Sequence, residues 1–505
     1  MRATTEPHDF VVVGGGTAGS VIAARLSEDD RVRVLLLEAG AGRPTAAMTS
    51  PPAWPSLMES PANWGETTVP QTATGTSVFL PRARFLGGGS AINAMVFARG
   101  HRSSYDDWAA LGARGWGFDD LLPYFMRSEN TAGRDPALRG IGGPLTVGPA
   151  NPPHPVVGSL LRAAEQAGHP RAADPCGGLE EGFGWSDLNI VDGRRQSAAD
   201  AYLAPAAGRP NLTVVTGARA RRLLLEHGRC TGVEYRTEAG TRTARARAEV
   251  VLTAGAIGSP QLLMLSGIGP RAHLGDRGID VLADLPGVGA NLHDHPIANI
   301  VYSAGRPVPA GVNNHGEAQG LVRSGPGLDG PDLQLVFVDA PGNLLDGMSP
   351  GQGWTIGVSP MRPRSRGTVR LASADPADAP LLDPGYFADD HDLAVLIRGL
   401  RLAREIGRSP AMSAWHGTEV LPGPAVEDDR GLREYARRTV ASYAHPVGTC
   451  RMGHGPGAVV GDDLRLRGID GLRVADASVI PSIPSANTNA TVCAIAERAA
   501  ELLTA

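Results

Sequence analysis

The chain has 505 residues, more than one hydrophobic core usually supports, so about two closely joined domains are expected. Its 42% apolar and 20% charged content is that of a soluble globular protein, and a net charge of −5 gives no footprint for nucleic acid or acidic membranes. All 47 basic residues are arginine; without a lysine amine there is no Schiff-base chemistry and no P-loop lysine.

Residues Met1 to Asp9 are polar and lead straight into a strand, so no signal peptide is expected. No run approaches ~18 apolar residues, so no membrane span is expected either. Phe10 to Val13 reads as a strand, Gly14 to Gly19 as a tight turn, Ser20 to Leu26 as a helix and Val32 to Leu37 as a second strand. This places Gly14-x-Gly16-x-x-Gly19 where backbone amides and a helix N-terminus suit a pyrophosphate. Glu38 follows at the end of the second strand, where a carboxylate binds ribose hydroxyls. The motif alone does not separate FAD from NAD.

Residues 41–80 are rich in Pro, Thr, Ser and Ala and read as an irregular excursion. A second glycine run follows, Gly87-Gly88-Gly89-Ser90. Glycine has no Cβ to hold the chain away, so the run suggests that the backbone approaches the same large cofactor again. Asp106 to Leu111 and Asp119 to Arg127 read as short helices with Trp108, Leu111, Leu122 and Phe125 on buried faces, and 129–155 as loop. Val156 to Gly168 reads as a helix, Asn211 to Val215 and Ala218 to Leu225 as strands, and 226–229 as a hairpin turn. The alternating arginines of 241–249 read as the wet face of a strand, followed by the buried strand Val250 to Thr253. From 300 to 435 alternation suggests an antiparallel sheet, with helices near 392–404 and 431–438. The last block returns to apolar strands and ends in the helix Ala490 to Leu503. The four cysteines (Cys176, Cys230, Cys450 and Cys493) are scattered and form no CxxC pair. That is neither a zinc site nor a disulfide framework, and it fits a reducing cytoplasm.

The segment Ala83-Arg84-x-Leu86-Gly87-Gly88-Gly89-Ser90-x-Ile92-Asn93, continuing through Phe97, Gly100 and Asp106, resembles the first signature of the glucose–methanol–choline oxidoreductase family. Residues Gly255 to Gly269 resemble the second, and Pro286 to His295, His445 to Gly453 and Gly471 to Ser478 resemble further family segments. The resemblance spans nearly the whole chain.

The resemblance implies an α/β fold, α+β overall: a Rossmann-like FAD-binding domain (1–155, 195–300 and 438–505) and a mixed or antiparallel-sheet substrate domain (156–194 and 301–437). It implies FAD. Gly14, Gly16 and Gly19, with Thr17 and Ala18, would hold the pyrophosphate, and Glu38 with Ala39 the adenosine ribose. Arg82, Gly87, Gly89, Ser90, Asn93, Ala94, Met95 and Val96 would run along the pyrophosphate and the isoalloxazine. Ala220 would touch the adenine, and Asp476 and Ala477 would lie near the ribityl chain. Some members bind flavin covalently through a histidine at the position of Ile92, which cannot form that bond, so non-covalent FAD is expected.

His445 is the expected catalytic base, since an imidazole titrating near ~6.5 can take the alcohol proton at neutral pH. The second catalytic position, usually His or Asn, falls on Asn487, whose amide can orient the substrate oxygen; Thr488 and Asn489 are left as flavin-side contacts. His293 and His295 flank Asp294, but the resemblance makes that segment a structural turn, and no metal is expected. His101 reads as a surface turn residue and Cys450 as packing. Ala444 stands where relatives often carry an aromatic. Aromatics total only 5%, which weakens a cage for a quaternary ammonium and hence choline as substrate.

The function these readings imply is FAD-dependent oxidation of an alcohol to an aldehyde or ketone. No second strand–GxGxxG–helix unit is evident, so electrons are expected to pass to oxygen, a quinone or another acceptor. The alternatives are a hydroxynitrile lyase or fatty-acid photodecarboxylase of the same fold, or a redox-silent flavin-binding protein.

Overall fold

The computed structural model describes residues 7–342 and 348–504. Met1 to Glu6, on which part of the N-terminal reading rests, lie outside the described residues. Two large sheets organise the rest. In the first, the strands Gly240–Leu252, His8–Val13, Val34–Leu37 and Leu212–Val215 lie side by side and parallel, with Leu472–Val474 on the other side of Gly240–Leu252. Their apolar runs carry almost no polar residues because both faces are covered: Val11, Val12, Val34, Leu36, Val250, Val251 and Val474 are all buried.

The strand Gly240–Leu252 has two halves. Residues up to Arg245 pair antiparallel with the hairpin strand Arg229–Thr237, and those from Ala246 pair parallel with His8–Val13. Arg245 and Arg247, on either side of this change of partner, point to water as the alternation predicts, while Arg242 falls on the other face and is half-buried.

The second sheet is antiparallel throughout, in the order Thr418–Leu421, Pro296–Ser303, Gly353–Pro360, Leu333–Val338, Ala318–Val322, Gly182–Trp185. Alternation along its strands gives it two characters. Ile300, Leu335, Phe337, Trp354, Ile356 and Val358 pack into a second core with the helices Pro155–Gln166 and Asp390–Gly407. Ile297, Asn299, Val336, Val338 and Thr355 face the other way, into a large cavity.

Some local expectations shift. The helix after the first glycine motif starts at Thr17, not Ser20, because Gly16 is already its N-cap. The short helices run Arg102–Ala110 and Phe118–Ser128. Trp108 and Phe125 are buried, but Leu111 is 49% exposed because its helix has already ended. In the second helix the buried stripe is Phe118, Leu121 and Phe125, and Leu122 stands half-buried beside it. The stretch 129–155 is not all loop; it contains the strands Glu129–Thr131 and Leu145–Pro149.

The two glycine runs meet. Gly87 donates its N–H to the Gly15 carbonyl at 2.7 Å. Gly88 has φ +55°, and a Cβ there would lie 2.6 Å from the Gly16 Cα, closer than packed atoms allow. At Gly89 a Cβ would find no atom within 4 Å, and this residue lines the cavity. Gly88→Ala is therefore expected to lower stability by about 2 kcal/mol or more, while Gly89→Ala stays within about 0.5 kcal/mol of wild type. Urea denaturation of both variants checks this.

Candidate active site

A cavity of about 900 Å³ runs between the two sheets, from Glu38 at one end to His445 at the other. Three helix N-termini open onto it: Thr17–Leu26, Gly255–Leu265 and Asn489–Thr504. Their first amides have no intrahelical partner and their dipoles add positive potential, an arrangement suited to a diphosphate. Thr17 and Asn489 tie two of these ends together, the threonine hydroxyl donating to Asn489 Oδ1 at 3.0 Å.

Most of the predicted cofactor residues line this cavity. Gly14, Gly16, Thr17 and Ala18 do so from the first turn, with Glu38 and Ala39 beyond the second strand. Arg82, Gly89, Asn93, Ala94 and Val96 line it from the second glycine segment. Ala220, Asp476, Ala477, Thr488 and Asn489 complete the set. Gly19, Gly87, Ser90 and Met95 stand behind the wall. A Cβ on Gly19 would sit 1.9 Å from the Gly14 carbonyl oxygen, so this glycine lets the helix cross the turn. Ser90 donates to the Gly87 carbonyl at 2.6 Å and accepts from the Ala198 N–H at 2.9 Å, which holds the second run in shape. Met95 is fully buried.

The two acids on the wall are already engaged. Glu38 accepts the N–H groups of Gly15 and Gly40 at 2.8 and 2.6 Å. Burial raises its pKa, and these two donors oppose the rise. Asp476 accepts from the Ser259 hydroxyl at 2.6 Å, the Gly255 N–H at 2.9 Å and the Ser478 N–H at 2.8 Å, joining the C-terminal segment to the turn after the central strand. Arg82 is held by Glu66 at 2.8 Å and lies over the Trp64 ring.

At the other end, His445 Nε2 lies 3.2 Å from Asn487 Nδ2. The Oδ1 of Asn487 and the Nδ2 of Asn489 are buried and lack a hydrogen-bond partner. Buried polar atoms are rarely left so, and here both belong to residues of the cavity wall. The open space at Gly89, the three helix N-termini and these two orphaned amides fit a long dinucleotide with a polar ring system.

His445 is itself buried, and that burial pushes its pKa well below the usual imidazole value, with the neighbouring His295 adding to the effect. It is therefore neutral and able to accept a proton. The Tyr443 ring lies against it with centroids 4.5 Å apart.

The segment His293–Asp294–His295 holds the loop that carries His445 in place. Asp294 Oδ1 accepts the backbone N–H of His445 at 2.8 Å and of His295 at 2.9 Å. Its Oδ2 accepts from Ser442 at 2.5 Å and from the Tyr386 hydroxyl. His295 Nδ1 lies 2.9 Å from His445 Nδ1, a contact outside the sequence reading. The His-Asp-His spacing was the signal for it, and only the fold brings its second ring to His445. Arg195 was also missed; buried, it donates to Ser90 O, Asn93 Oδ1 and Met48 O and so braces the second glycine segment. One arginine among 47 carries no distinguishing mark in the sequence.

Ala444 is exposed with φ +62°, and His101 is the half-buried N-cap of the helix Arg102–Ala110. Cys450 is buried, as are the other three cysteines, and all four are unpaired. Among the described residues no group of three or more His, Cys, Asp or Glu could hold a metal ion, and no helix is long and apolar enough to cross a membrane.

Models of the GMC oxidoreductase family match residues 8–297 and 363–496. The chain is 40% identical to the oxygen-dependent choline dehydrogenase of Brucella canis, over 98% of this chain and 95% of that one. It is 38% identical to the human mitochondrial choline dehydrogenase, over 99% and 90% respectively. Among solved structures, pyridoxine 4-oxidase from Mesorbium loti superposes with a TM-score of 0.93 at 37% identity, covering 98% of both chains. A formate oxidase of Aspergillus oryzae superposes with a TM-score of 0.92 at 28% identity, covering 100% of this chain and 99% of that one.

His293, beside this cluster, is fully buried and neither ring nitrogen has a partner. Burial holds its pKa well below the usual imidazole value, so the unfolded chain gains a proton near pH ~6.5 that the folded chain refuses. Its contribution to stability is thus present above ~6.5 and is lost as pH falls through and below that value. The variant His293→Phe is expected to lose less thermal stability than wild type when the pH is lowered from about 7 to about 5.5, measured by scanning calorimetry.

Proposed function

The chain belongs to the GMC oxidoreductase family and is an FAD-dependent oxidoreductase acting on CH–OH groups, and we propose that it oxidises an uncharged alcohol to an aldehyde or ketone, with His445 as the base and Asn487 orienting the substrate oxygen. The observation that carries this reading is the pair itself: a neutral imidazole and an amide with a free oxygen, 3.2 Å apart, in the wall of the cavity that also receives both glycine runs.

FAD, when bound, would supply the acceptor for the hydride of the carbinol carbon, which carries both electrons of the oxidation. The protein supplies the rest. His445 Nε2 takes the hydroxyl proton. Asn487 Nδ2, 3.2 Å from His445 Nε2 without substrate, gives up that contact as the alcohol hydroxyl takes its place on Nε2, and donates an N–H to the substrate oxygen instead. Ile297, Val336, Val338 and Tyr443 add apolar surface to the cavity wall, beside the polar Asn299 and Thr355.

Substrate charge follows from the same wall. The only acids lining the cavity among the described residues are Glu38 and Asp476, both already bonded to backbone and hydroxyl donors. A quaternary ammonium would find no free carboxylate there, although the relatives named above are choline dehydrogenases. Oxygen as the acceptor is supported by the oxidases among the structural relatives. The four unpaired buried cysteines support a cytoplasmic location. The two separate cores support the division into a discontinuous FAD-binding domain and a substrate domain, the second sheet combining Gly182–Trp185 with the strands from Pro296 onward.

Ile92 on the cavity wall has no nucleophile, so acid-denatured protein is expected to release its flavin into the supernatant; yellow colour in the precipitate would overturn non-covalent binding. Anaerobic mixing with benzyl alcohol, pyridoxine, 1-butanol and choline is expected to bleach the flavin fastest with an uncharged alcohol, and readmitted air to restore the colour. Hydrogen cyanide release, light-dependent loss of carbon dioxide, or no bleaching by any alcohol would point instead to a lyase, a decarboxylase or a redox-silent protein. His445→Ala is expected to keep its FAD and slow bleaching by at least about 10²-fold.

A further inference from the structure

We infer that His295 is a positioning residue of this site, holding His445 in the tautomer that leaves Nε2 bare toward the substrate. The inference rests on the reading of His445 as the base. His295 is fully buried and does not line the cavity, so it acts only through His445.

The argument runs outward from a carbonyl. His295 Nε2 lies 3.2 Å from the Met361 carbonyl oxygen, just beyond the strand Gly353–Pro360. A carbonyl only accepts, so Nε2 carries the N–H. Burial holds His295 neutral, its pKa pushed down to about 3. A neutral imidazole has one N–H, so Nδ1 of His295 is a bare lone pair. His445 Nδ1 faces that lone pair at 2.9 Å, and a contact of this length between two nitrogens needs one proton between them. His445 Nδ1 must supply it. The remaining nitrogen of His445, Nε2, is then the unprotonated one, and it is the one that faces Asn487 and the cavity. The two rings meet nearly edge to face, at 89° with centroids 5.2 Å apart.

The usual partner for such a histidine is a carboxylate, and one is close. Asp294 adjoins His295 in sequence, yet its oxygens take two backbone N–H groups and two hydroxyls and meet neither ring. The orienting group is thus a neutral acceptor. It selects the tautomer without adding a negative charge that would hold the proton on His445 after the alcohol has given it up.

The test uses holoenzyme labelled with 15N-histidine, read by long-range 1H–15N correlation, with the His445 signals identified by their loss in His445→Ala. Wild type is expected to show His445 protonated at Nδ1 and bare at Nε2. His295→Leu, which keeps the bulk and removes the acceptor, is expected to shift His445 toward the Nε2-protonated form. It should retain FAD and bleach about 10²-fold more slowly at saturating alcohol, with half-saturation unchanged. His295→Asn, whose Oδ1 can stand where Nδ1 stood, is expected to recover the rate to within about 10-fold of wild type and to restore the tautomer. A wild-type His445 protonated at Nε2 would overturn the proposal, as would a His295→Leu enzyme that keeps both the wild-type tautomer and the wild-type rate. If His295→Leu does not fold, the wild-type tautomer and the His295→Asn variant decide. If no alcohol bleaches the wild type, the functional reading fails while the tautomer assignment is still decided by the spectrum.

Discussion

The structure depends on backbone touching backbone. Gly87 donates to Gly15, and Gly88 stands against Gly16 where no side chain fits. This contact sets the separation of two loops that lie 72 residues apart in the chain, and the cavity is the space left beside them. Around it the protein places three helix N-termini and engages its two wall carboxylates with N–H and hydroxyl donors, so the polar environment is in place without further rearrangement. Arg195, buried and bonded to Ser90 and Asn93, reinforces the same loop from behind.

The second sheet closes the cavity through strand alternation. One face is a conventional core of Ile300, Leu335, Phe337 and Ile356. The other presents Asn299, Val336, Val338 and Thr355 to the site. Changes on that second face can alter substrate choice with little effect on packing behind the sheet, which is consistent with relatives of one fold that carry names as different as choline dehydrogenase, pyridoxine 4-oxidase and formate oxidase.

The parallel strands and the first helix were legible because each obeys a local rule: continuous apolar runs for strands buried on both faces, and a glycine turn before a helix. The cavity residues were legible through motifs, and eighteen of the twenty-two predicted positions lie on the wall. Gly19, Gly87, Ser90 and Met95 belong to the same motifs but stand behind it, because a motif records which residues a loop needs and not which of them face inward. Leu111 misled because a helix end ruins periodicity within one residue. His295, Asp294 and Arg195 depend on contacts across 150, 151 and 105 residues, and no spacing within a segment reports such contacts.

The hydrogen bond between Thr17 and Asn489 joins positions 472 residues apart. A pocket assembled from such distant segments is slow to form, since loop closure must precede the contacts that reward it. Leu472–Val474 docks beside Gly240–Leu252, and Glu497 meets Arg25 and Tyr202, and these contacts hold the third helix end at the site. A ligand that bridges these helix ends binds only the assembled state, and by mass action it holds the two distant parts of the chain together. The cofactor would thereby be a structural fastener as well as a reagent, raising the stability of the assembled fold as its concentration rises.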